Sequence, residues 1–334
     1  MSQRSRPKLA DVAERAGVSL KTASRALNGE YGVAPATAEK VVAAARELGF
    51  RPNLLARSLA SGRPSAAIGL IISNVADPFF AKVIGGVERA LGARDLQLVI
   101  GSHHDDPDRQ QKLVRALVER RVDALLVTPA PGDASYLRDD IEHGLVVVSL
   151  DRPLVGVEVD TVIVENRIGS ANAVRELIVS GHRRIAALAN DPRLWTMQER
   201  IAGYRLALAE AGIADDPALV LLDGAESQAS QRRIAEMLAS SDPPTAIFAA
   251  HNATGRDAIR AMRAAALELP LVVFDEESDP DLLVTPPLVI QSDPTRLGRV
   301  AAEMTLERLD GLAGPARLVV HEVGRLDVAE AIAG

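Results

Sequence analysis

From Ala66 onward, short apolar runs alternate with amphipathic stretches, and this alternation limits the folds open to most of the chain. AAIGLIIS reads as a strand and AKVIGGVERALGAR as a helix. LQLVIGS, DALLVTP, VVVSL and TVIVE read as further strands, with the helix DRQQKLVRALVERR between the first two. After a break near Asp160–Asn166 the cycle restarts with IGSANAVRELIVSG, RIAALAN and ERIAGYRLALAEAG. It continues through LVLLDG, QASQRRIAEMLAS, AIFAAH, TGRDAIRAMRAA and LVVFD. Strands that are apolar throughout are buried on both faces, and strands alternating with helices pair in parallel. The expectation is an α/β body, residues 66–334, made of two doubly wound parallel-sheet subdomains. LVIQSDPTRLGRVAAEMTLERL and ARLVVHEV offer strands and a helix that return to the first unit. One subdomain is expected at about 66–162 with 290–325, the other at about 163–289.

The first 65 residues follow a different pattern. Ala10–Asn28, ADVAERAGVSLKTASRALN, reads as two short helices joined by a tight turn. Leu9, Val12, Ala13 and Ala16 recur at i, i+3, i+4 and i+7, one apolar face of a helix. Gly17 suits the left-handed residue that ends a helix, and Ser19 is a good N-cap for Leu20–Leu27. That second helix hides Ala23, Ala26 and Leu27 and turns Lys21, Thr22, Ser24 and Arg25 outward. The pattern describes a helix-turn-helix, although an ordinary helical hairpin with a solvated polar face fits it as well. A third helix is predicted from about Pro35 to Leu48, with Val41, Val42, Ala45 and Leu48 inward and Gly49 as its stop. An all-α head is expected over 1–52. Phe50-Arg51-Pro52-Asn53 is extended, because the residue before a proline avoids the helical region. NLLARSLASGR is too short to hold a helix alone in water, so 53–65 reads as a hinge helix and linker.

Charge divides the chain in the same place. The net charge is −7, yet residues 1–63 hold eleven Lys/Arg against five Asp/Glu, a net of +6. The remainder carries −13. A small basic head on a large acidic body suits phosphate binding at one end. There is no cysteine, which excludes disulfides, thiolate nucleophiles and zinc-thiolate sites. No secretory signal and no bilayer-spanning apolar run is visible, so a cytoplasmic location is expected.

In open α/β sheets, ligands bind outside the carboxyl ends of strands. Those ends are Ser73-Asn74 leading into Asp77-Pro78-Phe79-Phe80, then Ser102–Asp106, Thr128-Pro129 and Ser149–Arg152. In the second unit they are Ala189–Asp191, with Trp195 and Arg200 in the following loop, Asp223, His251-Asn252 and Asp275-Glu276. Planar polar groups take bidentate hydroxyl bonds and aromatic faces stack on sugar C–H surfaces, so this mix suits a polyol. Asp77 also suits a helix cap, and Phe79 and Phe80 suit a core. His103-His104-Asp105-Asp106 is a poor metal cluster, because adjacent residues on a short loop point apart. Asp105 and Asp106 are expected to cap the next helix.

Residues 8–65 resemble the DNA-binding head of the lactose-repressor (LacI) family: LADVAERAGVS, TASRALN, a helix ending ELGFRPN, then ARSLASGR. The resemblance implies a transcriptional regulator, a homodimer on double-stranded operator DNA, whose second helix enters the major groove. Leu20, Lys21 and Arg25 then occupy base-reading positions, and Ser19, Thr22, Ser24 and Asn28 sit at phosphates and groove edges. Ala56 and Leu59 match the paired hinge helices that wedge a minor-groove step, where Leu59 also suits packing between the helices. Ala34 departs from the family's helix-capping Ser.

The body resembles the family's periplasmic-binding-protein-like effector domain over nearly all of 66–325. DPFF, LDR, RIAGY, His251-Asn252 and the Asp of FD match its ligand elements. The resemblance implies ligand contacts at Asp77, Phe79, Phe80, Asp151, Arg152, Arg200, Asn252 and Asp275. Asp77 replaces the usual Asn, Ala253 the usual Asp and Ser292 a usual Gln, which leaves the ligand class open. No cofactor and no metal is implied. A solute-binding protein and a nucleotide-using α/β enzyme are the competing classes. The basic head argues against the first and the absence of GxGxxG and GxxxxGK[ST] against the second.

Overall fold

The computed structural model describes residues 7–28, 31–50, 66–92, 94, 96–222, 228–275 and 288–324. The chain forms two compact units that divide between Ser65 and Ala66.

The first unit holds α1 (Leu9–Ala16), α2 (Leu20–Leu27) and α3 (Pro35–Leu48). Ser19 Oγ accepts the Thr22 N–H at 3.1 Å and fixes the first turn of α2. Gly17 closes α1 in the left-handed conformation, φ 66°, as its position suggested. Ala34 makes no side-chain cap, and Pro35 begins α3 at a position where a missing N–H costs nothing. The core is Val12, Ala13, Ala23, Ala26, Val41, Ala44 and Ala45. Val42 corrects the expected inner face: it is 37% exposed, and Ala44 takes its place. Val41, Ala44, Ala45 and Leu48 keep the i, i+3, i+4, i+7 spacing, whereas Val42 lies about 100° around the helix from Val41.

The second unit contains two parallel sheets. The first has β1 (Ala67–Ile72), β2 (Gln97–Ser102), β3 (Ala124–Val127), β4 (Val146–Leu150), β5 (Asp160–Val164) and β11 (Leu318–His321). Its order is β11-β5-β4-β3-β1-β2. The second has β6 (Ile185–Leu188), β7 (Val220–Leu221), β8 (Ala246–Ala249), β9 (Leu271–Phe274) and β10 (Leu288–Ile290), in the order β10-β9-β8-β6-β7. One apolar cluster runs through both lobes, from Ile68, Leu70 and Val148 to Ile185, Phe248 and Val272. Separate clusters cover the opposite face of each sheet.

The last strand before the first crossing, β5, ends at Val164 and the last strand of the second sheet, β10, ends at Ile290, so the chain crosses between the sheets near Glu165 and Gln291. The Glu165 N–H donates to His321 O at 2.8 Å, and the Gly324 N–H to Gln291 O at 2.7 Å. The two crossings are therefore tied to the segment that follows β11. Within each lobe a helix pair packs through glycine. In the first, α4 (Pro78–Gly92) meets α11 (Pro294–Leu309). A Cβ on Gly298 would lie 2.2 Å from Val83 O. In the second, α7 (Asn166–Val179) meets α8 (Trp195–Glu210), and a Cβ on Gly203 would lie 2.2 Å from Arg167 O.

Asp160, at the start of β5, is buried between two arginines. Arg308 Nη2 reaches Oδ1 and Arg317 Nη2 reaches Oδ2, each at 2.8 Å. Burial alone would raise this carboxyl, but the hydrogen bonds from Arg308 and Arg317 hold it far below the usual range.

Gly298→Ala and Gly203→Ala should each destabilise the body by about 1–3 kcal/mol, because the obstacle is backbone that cannot rotate away. Urea denaturation reads the loss. Asp160→Asn should cost about 2–3 kcal/mol at pH 7, less than a fully buried pair because both arginines keep contact with water. The folded value is depressed, so this contribution is present above the unfolded carboxylate value of about 4 and is lost as pH falls. The gap between wild type and variant in thermal denaturation should narrow steadily below about pH 4.

Candidate functional site

The carboxyl ends of strands from both sheets open onto one cavity of about 500 Å³. Asp77, Phe79, Phe80, Asp151, Arg152, Arg200, Asn252 and Asp275 all line it. The strand-end rule explains the convergence: β1, β4, β8 and β9 each deliver their following residues to the same edge.

On the first lobe, Asp77 Oδ1 accepts the Phe79 N–H at 2.9 Å and caps α4. Its Oδ2 lies 3.9 Å from His251 Nε2 on the opposite lobe. Phe79 and Phe80 meet edge to face with ring centroids 5.1 Å apart, Phe80 in the core and Phe79 half-buried. Arg152 is 7% exposed. Its Nη1 donates to Asp105 Oδ1 at 2.7 Å and to Pro129 O at 3.0 Å. Its Nε lies 3.4 Å from Asp151 Oδ2 and makes no hydrogen bond. Burial pushes the Asp151 carboxyl up to about 6, against the pull of Arg152 and Arg200.

On the second lobe, Arg200 is 4% exposed. Its Nε donates to Asn166 Oδ1 at 2.7 Å and its Nη1 to Ala250 O at 2.8 Å. Its Nη2 approaches Asp275 Oδ2 at 3.5 Å, and the guanidinium lies 3.5 Å over the Phe274 ring. Burial lowers the Arg200 value, and Asp275 opposes that shift. Asp275 is raised by burial, while Arg200 and Ser292 pull it down. Ser292 donates to Asp275 Oδ1 from both its N–H and its hydroxyl. His251 accepts the Ala253 N–H on Nδ1 at 3.1 Å. Burial and the charges of Arg200 and Arg256 lower His251 to about 3, so it is neutral at physiological pH.

Two expectations are corrected. Asp105 does not cap the following helix; Asp106 does, accepting the Asp108 N–H at 2.9 Å and the Arg109 N–H at 3.2 Å. His104 and Asp105 both turn left-handed, at φ 53° and 56°. That swings Asp105 into the cavity, where it takes Arg152 and the Ser73 hydroxyl. Trp195 and Arg200 lie on α8 rather than in a loop, and Trp195 is not among the residues lining the cavity. Sequence reasoning also missed Arg256, which lines the cavity one helical turn after Asn252. The i, i+4 spacing was the available signal.

In the head, Leu20, Lys21, Ser24 and Arg25 line one groove with Leu9. Leu20 is 55% exposed, high for an apolar residue in so small a domain. Ser19 Oγ and Thr22 Oγ1 are hydrogen-bonded at 2.8 Å at the start of α2, and Asn28 ends it. Arg25 Nη2 donates to Tyr31 O at 2.6 Å. Ala56, Leu59, Asp223 and Glu276 lie outside the described residues.

Among the described residues no group of His, Asp or Glu is arranged to hold a metal. His103 is part of the loop instead, accepting the Asp105 N–H on Nδ1 while Nε2 bonds Thr128 O at 2.8 Å. No helix of the described residues is long and apolar enough to cross a membrane.

Comparison with known proteins agrees with both units. Residues 8–53 match the model of bacterial regulatory proteins of the lacI family. Residues 65–318 match that of periplasmic binding proteins and the sugar-binding domain of the LacI family. The HTH-type transcriptional regulator CelR of Thermobifida fusca is 34% identical over 96% of this chain and 97% of its own. The ribose operon repressor of Haemophilus influenzae is 29% identical over 90% of this chain and 91% of its own. The solved structure of a CelR–cellobiose complex is 29% identical, covers 96% of this chain and 98% of its own, and superposes with a TM-score of 0.71. The lac repressor dimer on its operator, 24% identical with a TM-score of 0.77 over 96% of this chain and 98% of its own, shares the fold. The chain belongs to the LacI family: it is a helix-turn-helix transcriptional regulator with a periplasmic-binding-protein type effector domain, and not an enzyme.

Proposed function

We propose that this chain is a cytoplasmic repressor that binds a pseudo-palindromic operator as a homodimer and is controlled by a sugar or sugar derivative. The observation that carries the effector half is the convergence of Arg152, Arg200 and their carboxylates on one cavity between two lobes. Asp77, Phe79, Phe80, Asp151, Arg152, Arg200, Asn252 and Asp275 hold the effector, with Asp105, His251 and Arg256 beside them. Cellobiose in the related CelR structure supports a carbohydrate.

The operator half rests on α2. Arg25 offers two parallel donors to guanine O6 and N7, Lys21 reaches a base or phosphate, and Leu20 meets a thymine methyl. Ser19, Thr22, Ser24 and Asn28 fix register without reading sequence. The hinge residues Ala56 and Leu59 enter the minor groove as a pair. The effector acts through its differential affinity for lobe arrangements that do and do not support operator binding.

Fluorescence anisotropy with duplexes from the chain's own upstream region tests the operator half. Affinity should fall steeply with salt. Lys21→Ala should reduce the salt slope by about one, and Arg25→Ala should cost about 1–3 kcal/mol on the preferred duplex. Absent or salt-independent binding overturns the reading. A thermal-shift screen of mono- and disaccharides tests the effector half. At least one sugar should raise the melting temperature. Asp275→Asn, which keeps a residue tolerant of φ 55°, should weaken that sugar by about tenfold or more through loss of a charge-assisted bond.

A further inference from the structure

Among the described residues, the carboxylates lining the cavity outnumber its guanidinium groups by one. Four carboxylates line it, from Asp77, Asp105, Asp151 and Asp275, against the guanidinium groups of Arg152, Arg200 and Arg256. His251 adds no charge at neutral pH. Asp105 is matched to Arg152 and Asp275 to Arg200. Asp77 Oδ1 accepts the Phe79 N–H, and among the described residues its Oδ2 faces the neutral His251 ring across the cleft at 3.9 Å. Asp151 is buried, meets Arg152 at 3.4 Å without a hydrogen bond, and feels the negative charges of Asp77 and Asp275. Among the described residues, two buried polar atoms of the lining side chains make no hydrogen bond: Arg152 Nε, which is ion-paired with Asp151 at 3.4 Å, and Asn190 Oδ1. A bound molecule that brings donors to Asp77 and Asp151 complements this side of the cleft.

We propose that the effector is a polyhydroxylated amine, an amino sugar whose ammonium group lies on the Asp77–Asp151 side of the cleft. The inference rests on the reading of this cavity as the effector site. A protonated amine supplies up to three donors from one atom and neutralises the surplus carboxylate. The hydroxyls use the remaining polar groups of the lining. An aspartate at position 77, which only accepts when ionised, fits this ligand better than a neutral sugar.

Isothermal titration of the full-length protein at pH 7 compares D-glucosamine with D-glucose, and the β-1,4 glucosamine disaccharide with cellobiose. In at least one pair the amine should bind about tenfold tighter or more, the scale of one charge-assisted hydrogen bond. Asp77→Asn keeps an N-cap for α4 and should remove most of that preference. Equal or tighter binding of the neutral partner overturns the inference and leaves the effector reading standing. Binding of none of the four also overturns it. Operator binding, measured on the same preparation, separately decides whether the regulator reading survives.

Discussion

Two guanidinium groups sit almost out of water where the strands of the body end, and the cleft is built around neutralising them. An unpaired buried cation costs several kcal/mol, so each must be surrounded by acceptors. Arg200 on α8 takes its acceptors from three other places: Asn166 at the start of α7, Ala250 after β8 and Asp275 after β9. Its flat face rests on Phe274. One side chain thereby fixes the relative positions of four elements. Arg152 does the same in the first lobe, with Asp105 after β2 and Pro129 after β3. The carboxylates have a backbone requirement of their own. Asp151 and Asp275 both adopt left-handed conformations, φ 69° and 55°, at the residue where the strand stops. Aspartate is among the few residues other than glycine that tolerate this region, so the residue that turns the chain also supplies the charge.

The glycine contacts explain which parts of the body can move. In each lobe, two helices approach until backbone touches backbone, at Gly298 against Val83 and at Gly203 against Arg167. Such interfaces have no compliant side chains between them and are felt as rigid. Any relative motion of the lobes would fall on the few residues at Glu165, Gln291 and after His321, which are themselves cross-linked by backbone hydrogen bonds. Hinges of this kind absorb large changes at a few element-terminal positions while the packed layers stay intact. On the proposed effector reading, a ligand held by Asp77 and Asp151 on one side and by Arg200 and Asp275 on the other would bridge the two lobes.

Much of this was legible in the chain itself. The strand and helix order followed from hydrophobic runs, because strands buried on both faces leave little ambiguity in an alternating pattern. All eight expected ligand residues line one cavity: seven follow strand ends, which converge by topology, and Arg200 reaches it from the second turn of α8. What escaped depends on conformation within a single turn. Asp105 and Asp106 are identical in composition, and only the left-handed turn at His104 and Asp105 sends one to Arg152 and the other to the helix. Val42 was misplaced because Val41-Val42 offers two apolar residues where the helix face admits one; alanine at position 44 was the less obvious and correct choice. Trp195 was grouped with the cavity by its type, but it opens a helix and the cavity takes Thr196, Met197 and Arg200 instead.

The head gains its meaning from how little holds it together. Among the described residues its seven buried side chains are all valine or alanine, with Leu9, Leu27, Leu48 and Phe50 only partly buried against them, so little apolar surface leaves water on folding. Ala34 leaves the first turn of α3 without a side-chain cap, and the Arg15–Glu47 pair is exposed, where such pairs add little. A domain this slight is stabilised substantially by anything that binds only its folded form. DNA does so, and residues 1–63 carry a net charge of +6 to attract it. Folding of the head and operator binding are then parts of one equilibrium. An effector needs only a few kcal/mol of differential affinity between operator-competent and incompetent states to shift such an equilibrium decisively.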